Sequence, residues 1–279
     1  MRTAITLAAL LGAQALGIAG APPALADGKG LGMFALTDDQ RLVFFREARP
    51  GRAREIGPVQ LSGDTRLVGI DFRPATGGLW GLGDKSGVYE IDPQTGVATL
   101  RSQLTLNGVP FALVGTSFGV DFNPTVDRMR VVSDSGQNLR INVDTGATSD
   151  DPGLNSGGVP SLGITAAAYT NNDSDPNTAT TLFDLDAALD QLAIQAPPNN
   201  GSQNATGKLG LDVSPEIGFD IYSVIAEDGT TAGARAFATI TTDRTRLYGI
   251  NLLTGKARAL GAFREELRLT GLAIPPNQE

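Results

Sequence analysis

Short apolar runs of four to seven residues recur along the chain, separated by turns rich in Gly, Asp, Asn, Thr and Pro. No long stretch keeps a helical period, so the pattern predicts many short strands. Aligned on their apolar positions, the runs repeat. Val68-Gly-Ile-Asp-Phe-Arg-Pro74 returns as Phe118-Gly-Val-Asp-Phe-Asn-Pro124 and weakens to Thr165-Ala-Ala-Ala-Tyr-Thr-Asn171. It then reappears as Ile217-Gly-Phe-Asp-Ile-Tyr-Ser223 and ends as Thr270-Gly-Leu-Ala-Ile-Pro-Pro276, at intervals of 50, 47, 52 and 53 residues.

A second motif accompanies the first, as Leu42–Phe45, Val88–Ile91, Leu139–Asn142, Leu192–Gln195 and Leu247–Ile250. Each copy is closed by a turn: Pro50-Gly51, Thr95-Gly96, Thr145-Gly146, Asn200-Gly201 and Thr254-Gly255. A bulky side chain precedes each copy by eight to ten residues, namely Phe34, Trp80, Arg130, Phe183 and Phe237. One unit therefore reads as four strands joined by hairpins, which is a propeller blade. The chain begins without an innermost strand and ends with a spare one, Leu269–Ile274. Pairing that strand with Leu31–Leu36 closes a ring, whereas an open solenoid or a pair of β-sandwiches would leave strand edges exposed.

The expected fold is thus all-β, a five-bladed propeller closed by its terminal strands. Its blades span about 31–58 plus 269–274, 67–103, 117–150, 164–213 and 216–263. Before them, Arg2, the apolar stretch from Ala4 to Ala21 and Ala24-Leu25-Ala26 read as a secretory signal cleaved before Asp27. Residues 1–26 are then a signal peptide and 27–279 a single domain, periplasmic or secreted. No stable membrane insertion is expected once the signal is removed, because Pro22 and Pro23 interrupt a marginally hydrophobic stretch.

Composition narrows the chemistry. The formal net charge is −8 and no Lys/Arg cluster opposes it, which argues against nucleic acid and anionic lipid. Histidine and cysteine are both absent, excluding a Ser-His-Asp triad, a thiol nucleophile, a thiolate zinc site and a disulfide framework. Carboxylates, Lys, Arg, Tyr and oxygen-liganded metals remain.

The run Gly115-Thr-Ser-Phe-Gly-Val-Asp-Phe-Asn-Pro124 is followed by Val126-Asp-Arg-Met-Arg-Val-Val-Ser-Asp134 and Gln137-Asn-Leu-Arg140. With Ala168-Tyr-Thr-Asn-Asn172 and Pro197-Pro-Asn-Asn-Gly201, it resembles the bacterial family catalogued as domain of unknown function 4394. The resemblance covers nearly the whole mature chain. It implies an exported, propeller-like repeat domain with no established activity, and it carries no catalytic residues across.

Several residues stand out as candidates. Asp71, Asp121 and Asp220 share one register of three innermost strands, with Ala168 and Ala273 in the other two. They form either an axial carboxylate ring, suited to Ca²⁺ or to glycoside chemistry, or caps for backbone donors between blades. Arg130 replaces an aromatic in its column and, with Arg128, Arg140, Asp127 and Asp134, makes blade three highly charged. That cluster is either a site for a carboxylate or sugar or a structural Arg–Asp lock.

Asp173, Asp175 and Asn177 have the opening spacing of a calcium loop, with Asp184 in the closing position. Thr178 replaces the required glycine, however, and Pro176 stiffens the loop. Trp80 and the Phe column read as core packing, and Asn204-Ala-Thr206 formally matches a glycosylation acceptor.

The leading expectation is a monomeric, non-catalytic binding module for a carbohydrate, peptide or protein. No catalytic residue is assigned and no cofactor is expected, with Ca²⁺ left open. The alternative is a carboxylate-based glycosidase or a Ca²⁺-dependent lactonase-like hydrolase at the axial mouth, and the fold does not decide between these classes.

Overall fold

A computed structural model describes residues 30–171, 178–226 and 231–278. They form five four-stranded antiparallel sheets arranged as propeller blades. Blade one takes its innermost strand, Leu269–Ala273, from the C-terminal end, and continues outward through Gly32–Thr37, Arg41–Arg46 and Arg54–Pro58. Phe34 pairs with Ala273 and Ala35 with Leu272, so the ring closes between the expected strands.

Blade two runs outward through Leu67–Arg73, Gly78–Gly83, Gly87–Ile91 and Ala98–Gln103, and blade three through Phe118–Asn123, Arg128–Ser133, Asn138–Ile141 and Thr148–Asp150. Blade four uses Ile164–Tyr169, Leu182–Asp186, Gln191–Gln195 and Gln203–Lys208. Blade five uses Ile217–Ile225, Thr231–Thr241, Thr245–Ile250 and Ala257–Ala262. The signal-peptide residues and the calcium-loop candidates Asp173, Asp175 and Asn177 lie outside the described residues.

Burial follows radius. The innermost strand of blade two is buried at every position, whereas its outermost strand, Ala98–Gln103, is half-buried or exposed. Bulky residues of the second strands fill the spaces between blades, so Phe237 packs with Phe45, Leu272 and Ile274 of blade one. Trp80 packs with Val120, Phe122 and Met129 of blade three, an apolar seam of the kind that stabilises through area removed from water. Close to the axis, glycines let neighbouring strands approach closely. A Cβ on Gly119 would lie 2.5 Å from the Ala167 backbone nitrogen.

The rim is held differently. The turn between the third and outermost strands of each blade presses on the outermost strand, or its continuation, in the preceding blade. Gly96 meets Gly57, Gly146 meets Gln103, Gly201 meets Gly153 and Gly255 meets Gly207. In blade one the turn Pro50–Arg52 does the same, with Pro50 against Gly261 and Gly51 against the Ala262 carbonyl. The contacts include hydrogen bonds, from Thr105 N–H to the Gly146 carbonyl at 2.8 Å and from Asn155 N–H to the Gly201 carbonyl at 2.7 Å. Every seam is therefore closed at two radii.

Gly146 tests the rim contact. Its φ of +73° disfavours any side chain, and a Cβ there would stand 1.9 Å from the Gln103 carbonyl oxygen. Gly146→Ala is expected to cost about 2–3 kcal/mol, because the clash is with backbone that cannot turn aside. At about 2–4 °C per kcal/mol for a domain of this size, calorimetry should record a Tm drop of roughly 4–12 °C. An unchanged Tm would show that the rim turn is not part of the closure.

Candidate functional site

At the axis, Asp71, Asp121 and Asp220 come together. One carboxylate oxygen from each lies within 4.8 Å of the others, and all three residues are buried. Each innermost strand is the inner edge of its sheet, so its backbone donors need partners from elsewhere. Asp71 accepts from its own neighbour Phe72 N–H at 2.7 Å and from Phe122 N–H of blade three at 2.8 Å. Asp121 accepts from Tyr169 N–H of blade four at 3.2 Å. Asp220 accepts from Ile221 N–H at 2.5 Å and from Ile274 N–H of blade one at 2.6 Å.

Three carboxyls thus serve five equivalent N–H groups, one per blade. This accounts for the two alanines. Ala168 and Ala273 cannot reach Ile221 and Phe72, and in both cases the Asp preceding that N–H bends back to bind it.

Burial raises the Asp71 carboxyl well above the usual carboxylate range, and the Asp220 charge adds to the effect. Asp121 is raised by burial and then by both neighbours, and burial pushes Asp220 up to about 7. A low-dielectric site favours neutral acids, and three like charges this close cannot all be carried without protons or a cation. The spacing is one a single Ca²⁺ could bridge. A space of about 70 Å³ lies beside Arg66, Thr116 and Glu216, and one of about 20 Å³ beside Gly69, Gly119, Gly218 and Gly271; neither is lined by the three aspartates. The smaller holds a water molecule and is far too small for a sugar ring.

In blade three, Arg130 is almost fully buried at 1% exposure and its contacts are internal. Its guanidinium donates to the Tyr169 hydroxyl at 3.2 Å, to Asn138 and Asp151 at 2.8 Å each, and to Asn199 at 2.7 Å. Arg140 shares Asp151 through two bonds of 2.7 and 2.8 Å. The group locks blade three to blade four, where the apolar seam is small: Val132, Leu154, Ile164, Ala167, Tyr169 and Leu182.

Asp134 holds Thr116 N–H at 2.8 Å, the same device by which Asp84 holds Thr65 N–H in blade two, and Arg128 donates to the Val126 and Asp127 carbonyls. A lock unforeseen from sequence joins blades two and three, where Arg73 binds both Asp127 and Asp144 and stacks over Trp80. The motif position of Arg73 varies between blades, so the repeat pattern hides it.

Asp184 is fully buried in the seam of blades three and four. Gln203 donates to its Oδ2 at 2.6 Å, while Asp184 Oδ1 and Gln203 Oε1 have no hydrogen-bond partner. Burial pushes Asp184 up to about 7 against the Gln203 bond and the Arg130 charge. A neutral acid is the form that suits two acceptors with no donor between them, since its O–H can donate.

An open groove of about 840 Å³ runs along blade five where it faces Glu47 of blade one. Its walls include Glu47, Arg235, Phe237, Leu253, Lys256 and Arg258. Its origin is visible in the rungs that cross each blade. Opposite Phe34, Trp80, Arg130 and Phe183, the third strands place Phe44, Glu90, Arg140 and Ile194. Opposite Phe237, blade five places Gly249. Nothing steric demands a glycine there: the nearest atoms to a Cβ would be those of the Leu260 side chain, at an ordinary contact distance of 3.7–3.9 Å, and the backbone is not left-handed. In the sequence Gly249 is the glycine in a column that otherwise holds Phe44, Glu90, Arg140 and Ile194.

No curated protein matches the chain. Among solved structures it is similar to a structural genomics protein of unknown function from Bacteroides thetaiotaomicron, at 13% identity and a TM-score of 0.46, covering 84% of this chain and 59% of that one. It is also similar to an auxiliary nutrient binding protein from Bacteroides ovatus, at 12% identity and a TM-score of 0.43, covering 74% and 55%. The chain spans less than two thirds of both, and likenesses this distant carry no argument about activity. A family model matches far more directly, over residues 41–273, and by that match the chain belongs to the domain of unknown function 4394 (DUF4394) family.

Proposed function

We propose that this chain is a non-catalytic ligand-binding ring, exported from the cell, with its ligand site in the groove between blades five and one. The observation that carries the reading is Gly249. An unforced glycine in a strand interior weakens the strand, and here it stands on the wall of a groove whose volume is in the range of ligand pockets. The other departures from the repeat have internal explanations, since Ala168 and Ala273 are compensated by Asp220 and Asp71 and Arg130 is fully engaged.

The glycosidase alternative loses its support at the axis. Paired catalytic carboxyls stand about 5–9 Å apart with substrate between them, whereas these three are buried, bring oxygens within 4.8 Å of one another and already accept backbone N–H groups.

Gly249 gives a direct test. Gly249→Ala should leave stability unchanged or raise it by about 0.5–1 kcal/mol, in contrast to a rim glycine. Gly249→Phe restores the residue that blade one carries as Phe44. In a thermal-shift screen of short oligosaccharides and peptides, at least one ligand should raise the Tm of the unaltered protein and lose that effect in Gly249→Phe. A ligand whose shift survives the substitution would place the binding site elsewhere.

A structural role for the buried acids predicts a pH dependence of definite sign. Asp184 and Asp220 are pushed up to about 7 in the folded chain, and Asp71 and Asp121 are raised as well. In an unfolded chain such groups titrate near about 4. Between those values the folded state holds more protons, so stability is fullest near pH 4 and declines as pH rises toward 7. The Tm is expected to fall between pH 4.5 and 7.5. Asp184→Asn, whose amide can both accept from and donate to Gln203, should make that fall shallower. A Tm that rises across the interval would refute the assignment of protons to these acids.

A further inference from the structure

We infer that the groove between blades five and one receives an extended, acidic peptide segment. The inference rests on the proposed binding role of that groove and adds the chemistry of its occupant. In an acidic chain the walls of this groove are cationic. Lys256 and Arg258 are exposed on its blade-five side and make no salt bridge with the described residues. Arg235 stacks on Phe237 and pairs with Glu47, the one acidic residue on the groove wall. The blade-one turn that docks on the outermost strand of blade five adds Arg49 and Arg52, both exposed and likewise outside any salt bridge among the described residues. Between Arg41 and Arg54 the chain carries five arginines against one glutamate. A local positive field on a protein of formal charge −8 focuses anions at that seam.

Charge alone would suit many anions, and two further features favour a peptide. Leu253, 87% exposed, stands on the groove wall beside the cations and offers a contact for an apolar side chain. The strand Ala257–Ala262 lines the groove through Ala257, Arg258 and Leu260 and is the outermost strand of its sheet. Ala257 N–H donates to the Leu209 carbonyl at 2.9 Å and the Pro50–Arg52 turn covers Gly261 and Ala262, which leaves Arg258 to Leu260 as the stretch of its outer edge without a pairing strand among the described residues. An extended peptide can align there, alternating carboxylates toward Lys256 and Arg258 with apolar side chains toward Leu253. An aromatic platform exposed for stacking a sugar is missing among the described groove residues, since Phe237 is 2% exposed.

The test uses a fluorescein-labelled octapeptide of alternating glutamate and leucine, its glutamine–leucine counterpart, and unlabelled trigalacturonic acid, with the full chain and anisotropy as readout. The glutamate peptide should bind at least tenfold more tightly than the glutamine peptide, and its affinity should fall between 50 and 300 mM salt. The double variant Lys256→Glu, Arg258→Glu should lose at least tenfold in affinity with an unchanged Tm, and Gly249→Phe should block binding.

Equal binding of the two peptides, or no binding of the glutamate peptide, overturns the inference. If in that case a thermal-shift ligand is still lost in Gly249→Phe, the groove stands as a site and only its acidic peptide is wrong. Charge-dependent peptide binding that survives Gly249→Phe overturns the groove itself. Displacement of the peptide by trigalacturonic acid at equal or lower concentration assigns the groove to acidic saccharides instead.

Discussion

The inner edges of five sheets meet at one axis, and each brings a backbone N–H that no sixth strand can satisfy. Three aspartates answer this by accepting five such bonds, three of them across a seam to the next blade. The solution has an unavoidable electrostatic consequence. Carboxyls that serve the axis of a narrow ring must lie close together, here with oxygens within 4.8 Å of one another. Repulsion and desolvation then favour neutral acids, which still accept hydrogen bonds through their oxygens. Ring radius, backbone satisfaction and protonation are therefore one linked constraint.

Farther out, the seams use whatever chemistry the local residues allow. Blades four and five, or one and two, share broad apolar clusters. Blades three and four share a small one, and there Arg130 reaches Tyr169 and Asn199 across the seam while gripping Asp151 within its own blade. Such a lock adds specificity more surely than net stability, because burying the charges offsets much of the attraction. Removing one member would still be costly, since the other would be left charged and unpaired. Arg73, with Asp127 and Asp144, repeats the solution between blades two and three.

How much of this was legible in the sequence follows from the range of each interaction. The repeat, its closure by Leu269–Ala273 and the aspartate register are periodic, so one sequence displays them. The meeting of Asp71, Asp121 and Asp220 is set by the ring radius, which no spacing along the chain encodes. The partners of Arg130 stand 21, 39 and 69 residues away, and only the fold selects Asp151, Tyr169 and Asn199 from many polar residues. Gly249 is hidden for another reason. It is one of 35 glycines, and its meaning appears only when a Cβ there is seen to meet Leu260 at no less than 3.7 Å.

That distinction carries the functional argument. A departure from a repeat can be required by the ring or tolerated by it, and the two differ in what surrounds them. Ala168 and Ala273 each have an aspartate performing their missing task, and Arg130 has four hydrogen-bonding residues around its guanidinium. At Gly249 a Cβ would make only ordinary contact with Leu260, no left-handed backbone excuses the glycine, and three basic side chains stand on the groove walls beside it. A position that the fold does not need to leave empty is the place where selection for something other than the fold is most readily seen.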